Sequence, residues 1–352
     1  MPNDATLSVP PAETIGGVIP VLDVARYLAG DTSALQRLGR DLRHAFEHVG
    51  FYYLRGHGIP QALIDATFEQ AERFHAMPME RKLALRINEH NIGYMPMGGS
   101  IARSSTVHRN RKPSVNEAFF LRRERAPDDP DVIANKRFRG LNRWPEDLPG
   151  FRDIVLSYMT AMESLGRRLV PIYAVALGLP ADYFDAMFAK PNMIQRLTHY
   201  PPRENYEDDE FSIAPHTDSG FMTLLAPSKV PGLSIRLPDG TWFDAPSIGG
   251  AFVVNGGDIL RRWTNDRFLS TPHRAINSSG QHRYAIPFFF DPHPDTLIAC
   301  VPSCCTADHP PRYEPVTYDQ YALWYATQNY VHLARSADAA APDASPRHAP
   351  VA

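Results

Sequence analysis

A chain of 352 residues with a formal net charge of -3 offers no whole-molecule electrostatic case for binding nucleic acid or an anionic membrane. No stretch reaches the ~18 consecutive apolar residues of a membrane span, and the opening MPNDATLSVPPAETIGG has acidic and proline residues where a secretory leader needs a basic segment and then an apolar run, so a cytoplasmic protein with small soluble partners is expected. The three cysteines, Cys300, Cys304 and Cys305, lack the paired spacing of a zinc site and are read as buried or idle thiols.

Residues 1–17 and 336–352 are rich in Pro and Ala, show no periodicity and are read as flexible tails. VIPVLDV, residues 18–24, predicts a strand, and Thr32 or Ser33 opens an amphipathic helix through Leu35, Leu38, Leu42, Ala45 and Phe46 that Gly50 closes. FYYLRGHGI, residues 51–59, predicts a second strand, and Pro60 begins a helix to about Ala76. Residues 86–116 lose periodicity and are long for a structureless connection, which marks them as a lid; their basic cluster, Arg103, His108, Arg109, Arg111 and Lys112, reads either as an anion contact or as solvated charge. A polar loop covers roughly residues 124–148, and the apolar positions from Phe151 to Leu177 fit one long scaffold helix that stops at Gly178.

After residue 190 the pattern changes to short β-type runs at close spacing: MIQRLTHY, FMTLLAP, GLSIRL, AFVVN, HRAIN, YAIPFFF and TLIACV. Such a series separated by Pro and Gly turns predicts a closed or double-sheet β-structure. The fold class is therefore α+β, mainly β: a double-stranded β-helix (jelly roll) core with an amino-terminal β/α segment and supporting helices. The divisions are an amino-terminal segment 18–125, a loop and scaffold helix 126–190, the jelly-roll core 191–302 and a carboxy-terminal helix within 303–335, together one catalytic unit.

Chemistry concentrates in FSIAPHTDSGFMTLL. Residues one position apart on a strand share a face, so His216 and Asp218 can aim inward while Thr217 faces away. His273, in STPHRAI at the start of another run, can add a second imidazole. Two imidazoles and one carboxylate with open positions form the facial triad of non-haem Fe(II) sites.

The segments VIPVLDV, AFEHVGFYYLRGHGI, RLTHYPP, PHTDSGFMTLL, TNDRFLSTPHRAI and RYAIPFFFDP stand in the order and spacing of a known family. From residue 18 to about residue 333 the chain resembles the isopenicillin N synthase-like branch of the Fe(II)/2-oxoglutarate-dependent oxygenases. The resemblance implies that His216, Asp218 and His273 are the iron ligands and that Arg283 grips the distal carboxylate of 2-oxoglutarate. It also implies that the Tyr200 hydroxyl reaches the same carboxylate and that Thr198 lies near its metal-bound end. The family commonly has a serine two positions after the arginine, where this chain has Ala285, a lost hydrogen bond of roughly 0.5–1.5 kcal/mol. Tyr94, Phe120, Phe289 and Asp291 are the substrate-pocket residues that the same resemblance suggests.

The implied activity is an Fe(II)- and 2-oxoglutarate-dependent oxygenase that uses O2 to hydroxylate or desaturate a small metabolite, releasing succinate and CO2. Three alternatives stand beside it: an iron oxidase of the same fold that does without 2-oxoglutarate, an enzyme that fragments 2-oxoglutarate to ethylene, and a non-catalytic small-molecule receptor.

Overall fold

The computed structural model describes residues 13–334. Its amino-terminal part is a β-α-β unit. The strands Ile19–Asp23 and Phe51–Arg55 pair in parallel, and the helix Ala34–His48 crosses between them. That helix buries Leu38, Leu42, Ala45 and Phe46 along one stripe and packs against the long helix Phe151–Ala176. Gly50 ends the crossover at φ 76, and a Cβ there would lie 2.2 Å from Thr271 Oγ1, so the turn needs glycine for both conformation and space. The next helix, Gln61–His75, has Pro60 at its N-cap rather than inside it.

The tail expected up to residue 17 is shorter than that among the described residues. Thr14–Ile15 pairs with Ile19 and Pro20 across Gly16 and Gly17, whose φ values are 60 and 71, and Val18 N–H closes the turn on Ile15 O at 3.1 Å. Two positive φ values at the centre of this turn are what a Gly-Gly pair permits. The expected tails at residues 1–12 and 335–352 lie outside the described residues.

One sheet contains ten strands. From its edge it runs Thr14–Ile15, Ile19–Asp23, Phe51–Arg55, Ala251–Gly256, Met222–Leu225, Pro287–Asp291, Asn192–Tyr200, Glu117–Arg122 and Gly93–Met95, and Arg283–Ala285 also pairs with Asn192–Tyr200. A second sheet has four strands in the order Trp242–Ala245, Leu233–Arg236, His273–Ala275 and Ile213–His216. Residues of both sheets line a single cavity. The large sheet draws on the amino-terminal segment as well as on residues 191–302, so the division into segment and core does not separate two bodies of structure. The sequence also puts Gly93–Met95 inside what reads as a structureless lid; this short run pairs with Glu117–Arg122, and residues 96–116 remain irregular.

Behind the large sheet lies the main core, built on Phe151–Ala176 and its aromatic neighbours Phe184, Phe188, Phe221 and Trp263. The carboxy-terminal helix Tyr318–Asn329 starts at a capping box: Thr317 Oγ1 accepts from Gln320 N at 3.3 Å, and Gln320 Oε1 accepts from Thr317 N at 3.1 Å. The three cysteines are free. No helix among the described residues is long and apolar enough to cross a membrane.

The scaffold helix touches the sheet at Gly166, where a Cβ would lie 2.7 Å from the Phe290 ring. That ring is stacked on Phe188 at 5.4 Å and cannot swing aside freely. Gly166→Val is expected to lose about 2 kcal/mol or more in urea unfolding, because overpacking outweighs the small gain in helix propensity.

Candidate active site

The site begins with a cross-strand pair. His216 ends the strand Ile213–His216 and stands directly opposite His273, which begins its own strand; their rings lie 4.4 Å apart. Each imidazole is oriented by its neighbouring backbone. His216 Nδ1 is 2.8 Å from Ala214 O and His273 Nδ1 is 3.1 Å from Thr271 O, so each Nδ1 carries the proton and each Nε2 presents a lone pair.

Asp218 lies past the end of the strand, in the turn that follows. Its Oδ2 accepts from Thr223 Oγ1 at 2.7 Å and from Asn255 Nδ2 at 2.8 Å. Oδ1 is left facing both Nε2 atoms at 3.7 Å each. Burial raises the Asp218 pKa, but the two imidazoles and the two donors outweigh it and hold the group below its ordinary value. Burial, with His273 beside it, pushes His216 down to about 4. His216, Asp218 and His273 thus bring two imidazoles and a carboxyl group together, with ligand atoms within 4.8 Å of one another. Thr217 turns the other way and donates to Asp258 Oδ2 at 3.2 Å.

Arg283 lines the same cavity from the large sheet, where it pairs in register with Tyr200. Its Nε donates to Val230 O at 3.2 Å, its guanidinium lies 4.6 Å from the centre of the Tyr200 ring, and its Nη1 is buried with no partner. Gly232 allows the facing loop to come this close, since a Cβ there would be 3.1 Å from Arg283 Nε. Thr198 sits opposite Ala285 in the same ladder, fully buried, and its Oγ1 also lacks a partner. A planar cation with a free nitrogen is suited to a carboxylate, whereas Thr198 does not line the cavity.

The register Arg283 to Tyr200 continues to Phe289 against Ile194 and Asp291 against Asn192, so Arg283, Ala285, Phe289 and Asp291 line one face of the cavity despite Pro287 between them. Phe120 lines it from the neighbouring strand. Two of the residues expected to meet substrate have other work. Tyr94 is buried on the opposite side of the sheet, where its hydroxyl donates to Glu117 Oε2, and it does not line the cavity. Asp291 reaches the cavity wall, but its oxygens accept from Phe221 N and from the Tyr318 hydroxyl, both at 2.7 Å, and so tie the turn after Asp218 to the carboxy-terminal helix.

The basic cluster of the loop lies away from the cavity. His108 pairs with Asp209 at 2.8 Å and Lys112 with Glu207 at 3.0 Å. Sequence reasoning missed Asn91, Arg122, Arg196, Tyr325 and Tyr330, all of which line the cavity. For Arg122 and Arg196 the signal was available: each stands two places from a residue already assigned to the inner face, Phe120 and Thr198. It also missed a second group of metal-capable side chains, His75, Glu117 and His199, behind the sheet. There Glu117 already takes Lys82 at 2.9 Å and His199 at 2.8 Å.

Residues 19–147 match the family model for the amino-terminal region of the non-haem dioxygenases of morphine synthesis, and residues 191–292 match that of the 2OG-Fe(II) oxygenase superfamily. The chain is 34% identical to the 2-oxoglutarate-Fe(II) type oxidoreductase hxnY of Emericella nidulans, over 88% of this chain and 90% of that protein. It belongs to the 2OG-Fe(II) oxygenase superfamily. It is also 32% identical to kihadalactone A synthase of Citrus sinensis, over 80% of this chain and 85% of that one. Among solved structures it is similar to a full-length Neurospora crassa protein in complex with alpha-KG and thymine, with a TM-score of 0.78 and 27% identity over 93% of this chain and 99% of that one. The protein is thus a non-haem Fe(II)- and 2-oxoglutarate-dependent dioxygenase with the fold of that superfamily. The donor set fits the metal, since two imidazole nitrogens and one carboxylate oxygen face a common point.

Burial raises Asp291 from 3.8 to about 6. A raised carboxyl contributes stability that is fully present below its unfolded pKa and is lost as pH rises through the folded value. Thermal unfolding of the metal-free oxygenase should therefore weaken between pH 4 and pH 7 relative to Asp291→Asn, by on the order of 1–3 kcal/mol. A constant difference between the two proteins across that range would refute the shift.

Proposed function

We propose that His216, Asp218 and His273 hold Fe(II) through Nε2, Oδ1 and Nε2, and that Arg283 takes the distal carboxylate of 2-oxoglutarate. The oxygenase then hydroxylates a small metabolite bound in the apolar part of the same cavity. One observation carries this reading: three inward lone-pair atoms and a buried, partnerless Arg283 Nη1 line one cavity. The relatives support a small-molecule substrate, since the Neurospora protein binds thymine and the Citrus enzyme is a kihadalactone A synthase.

Fe(II), when bound, supplies O2 activation coupled to decarboxylation of 2-oxoglutarate to succinate and CO2. The chain supplies orientation and charge. Thr223 and Asn255 fix one oxygen of Asp218 so that the other stays aimed at the metal position. The carbonyls of Ala214 and Thr271 fix both histidine tautomers. The Tyr200 ring supports the Arg283 guanidinium through its π-face. Phe120 and Phe289 wall the substrate chamber. In this reading the two sheets form the double-stranded β-helix, centred on residues 191–302 and extended by the strands Phe51–Arg55 and Glu117–Arg122.

Anaerobic addition of 2-oxoglutarate to the Fe(II)-loaded protein should give a weak visible charge-transfer band, absent in His216→Ala, and succinate should appear in air with the wild type alone. Arg283→Gln should raise the 2-oxoglutarate requirement about 100-fold while Fe(II) still binds. An unchanged requirement in Arg283→Gln would overturn the assignment of the carboxylate site.

A further inference from the structure

Arg283 is not the one cation facing the chamber. Arg122 and Arg196 also line it, from adjacent strands that place Arg122 opposite Ile194 and Arg196 opposite Phe120. Both are buried, at 5% and 9% exposure. Arg122 Nη1 donates to Asn192 Oδ1 at 3.2 Å, and Arg196 Nη2 donates to Asn116 Oδ1 at 2.8 Å. Those are neutral amides, which orient a guanidinium and leave its charge in place. The other two nitrogens of each fork have no hydrogen-bond partner among the described residues, and each Nε is fully enclosed.

Neither arginine forms an ion pair with a carboxylate among the described residues. Asp291 and Asp319 are the acids near enough to act on Arg122 through space, and Asp291 is spent on Phe221 N and Tyr318. Aromatic faces take the place of acids: the Arg122 guanidinium lies 4.7 Å from the centre of the Phe138 ring, and that of Arg196 lies 5.2 Å from the Phe120 ring. Cation–π contact offsets only part of the cost of burying a guanidinium. Two buried cations with free donors, lining a chamber with aromatic walls, make a site that becomes complete when an anion enters.

We infer that the substrate of this oxygenase is an organic anion, a small carboxylic acid with an apolar or aromatic body, whose carboxylate is bound by Arg122 and Arg196 while its body lies against Phe120 and Phe289. The inference rests on the chamber being the substrate site of the function proposed above. It differs from the 2-oxoglutarate site in residues and in position along the ladder: Arg283 pairs with Tyr200, whereas Arg196 and the partner of Arg122 lie at least four residues away along the same strand.

The test is calorimetric binding of matched pairs, aromatic and alicyclic monocarboxylic acids against their own primary amides, to the full chain loaded anaerobically with Fe(II) and saturating 2-oxoglutarate. Saturation keeps Arg283 occupied, so an acid that binds does so elsewhere. At least one acid should bind tenfold or more tightly than its amide. Arg122→Met and Arg196→Met should each weaken that acid by roughly tenfold to a hundredfold and leave its amide unchanged. Arg122→Lys should keep part of the preference, and 2-oxoglutarate affinity should stay within twofold in folded variants, as judged by their thermal unfolding. A panel in which no acid exceeds its amide, or in which both methionine variants bind the acid as the wild type does, overturns the inference. Failure of the wild type to bind 2-oxoglutarate at all would instead overturn the function proposed above.

Discussion

Two imidazole nitrogens and a carboxylate oxygen turned toward one another are the feature on which the rest of the structure depends. A buried carboxylate is costly unless donors reach it, and Asp218 receives both of its donors on a single oxygen. Those donors come from two neighbouring strands of the large sheet, Met222–Leu225 and Ala251–Gly256. The imidazoles come from two neighbouring strands of the small one. One carboxylate therefore joins the two sheets at a point, and displacement of either sheet would separate its hydrogen bonds from the histidines it faces.

The same logic extends along the cavity wall. Arg283, Arg196 and Arg122 are all buried, all face the cavity and all rest on aromatic rings in place of acids. An acidic partner for each would make a more stable protein and a poorer binder, because a satisfied guanidinium has nothing left to offer a ligand. Phe120, Phe138 and Tyr200 support these side chains without neutralising them. Stability is supplied elsewhere, through the aromatic core behind the sheet, while Asp291 joins a sheet strand, the turn after Asp218 and the carboxy-terminal helix.

Elements with strong local rules were legible in the sequence. The crossover helix, the scaffold helix and most short strands follow from periodicity and from Gly and Pro punctuation, because burial of one face imposes those patterns locally. His216, Asp218 and His273 were legible because the spacing of the first two and the order of the surrounding segments are themselves sequence properties. Tyr94 went astray for a physical reason. It lies in a short run that loses its periodicity among glycines, and whether such a run is strand or loop is decided by pairing with Glu117–Arg122, a contact that no local pattern announces. Tyr325 and Tyr330 reach the cavity through the docking of the carboxy-terminal helix, which is likewise long-range. Arg122 and Arg196 could be found by parity alone, once the strand was known to face a chamber rather than a packed core.

The strand Glu117–Arg122 has a two-sided character whose consequence reaches back to folding. On one side Glu117 accepts from Lys82, His199 and Tyr94; on the other, Phe120 and Arg122 face the chamber. A slip of one residue against Asn192–Tyr200 would exchange these faces. The acid would enter the chamber, Lys82 behind the sheet would lose its counter-charge, and Arg122 would turn into the apolar core beside Leu121. Opposite charges on the two faces thus penalise misregistration from both sides at once, and the correct alignment of this strand is enforced by electrostatics as well as by the burial of its phenylalanines.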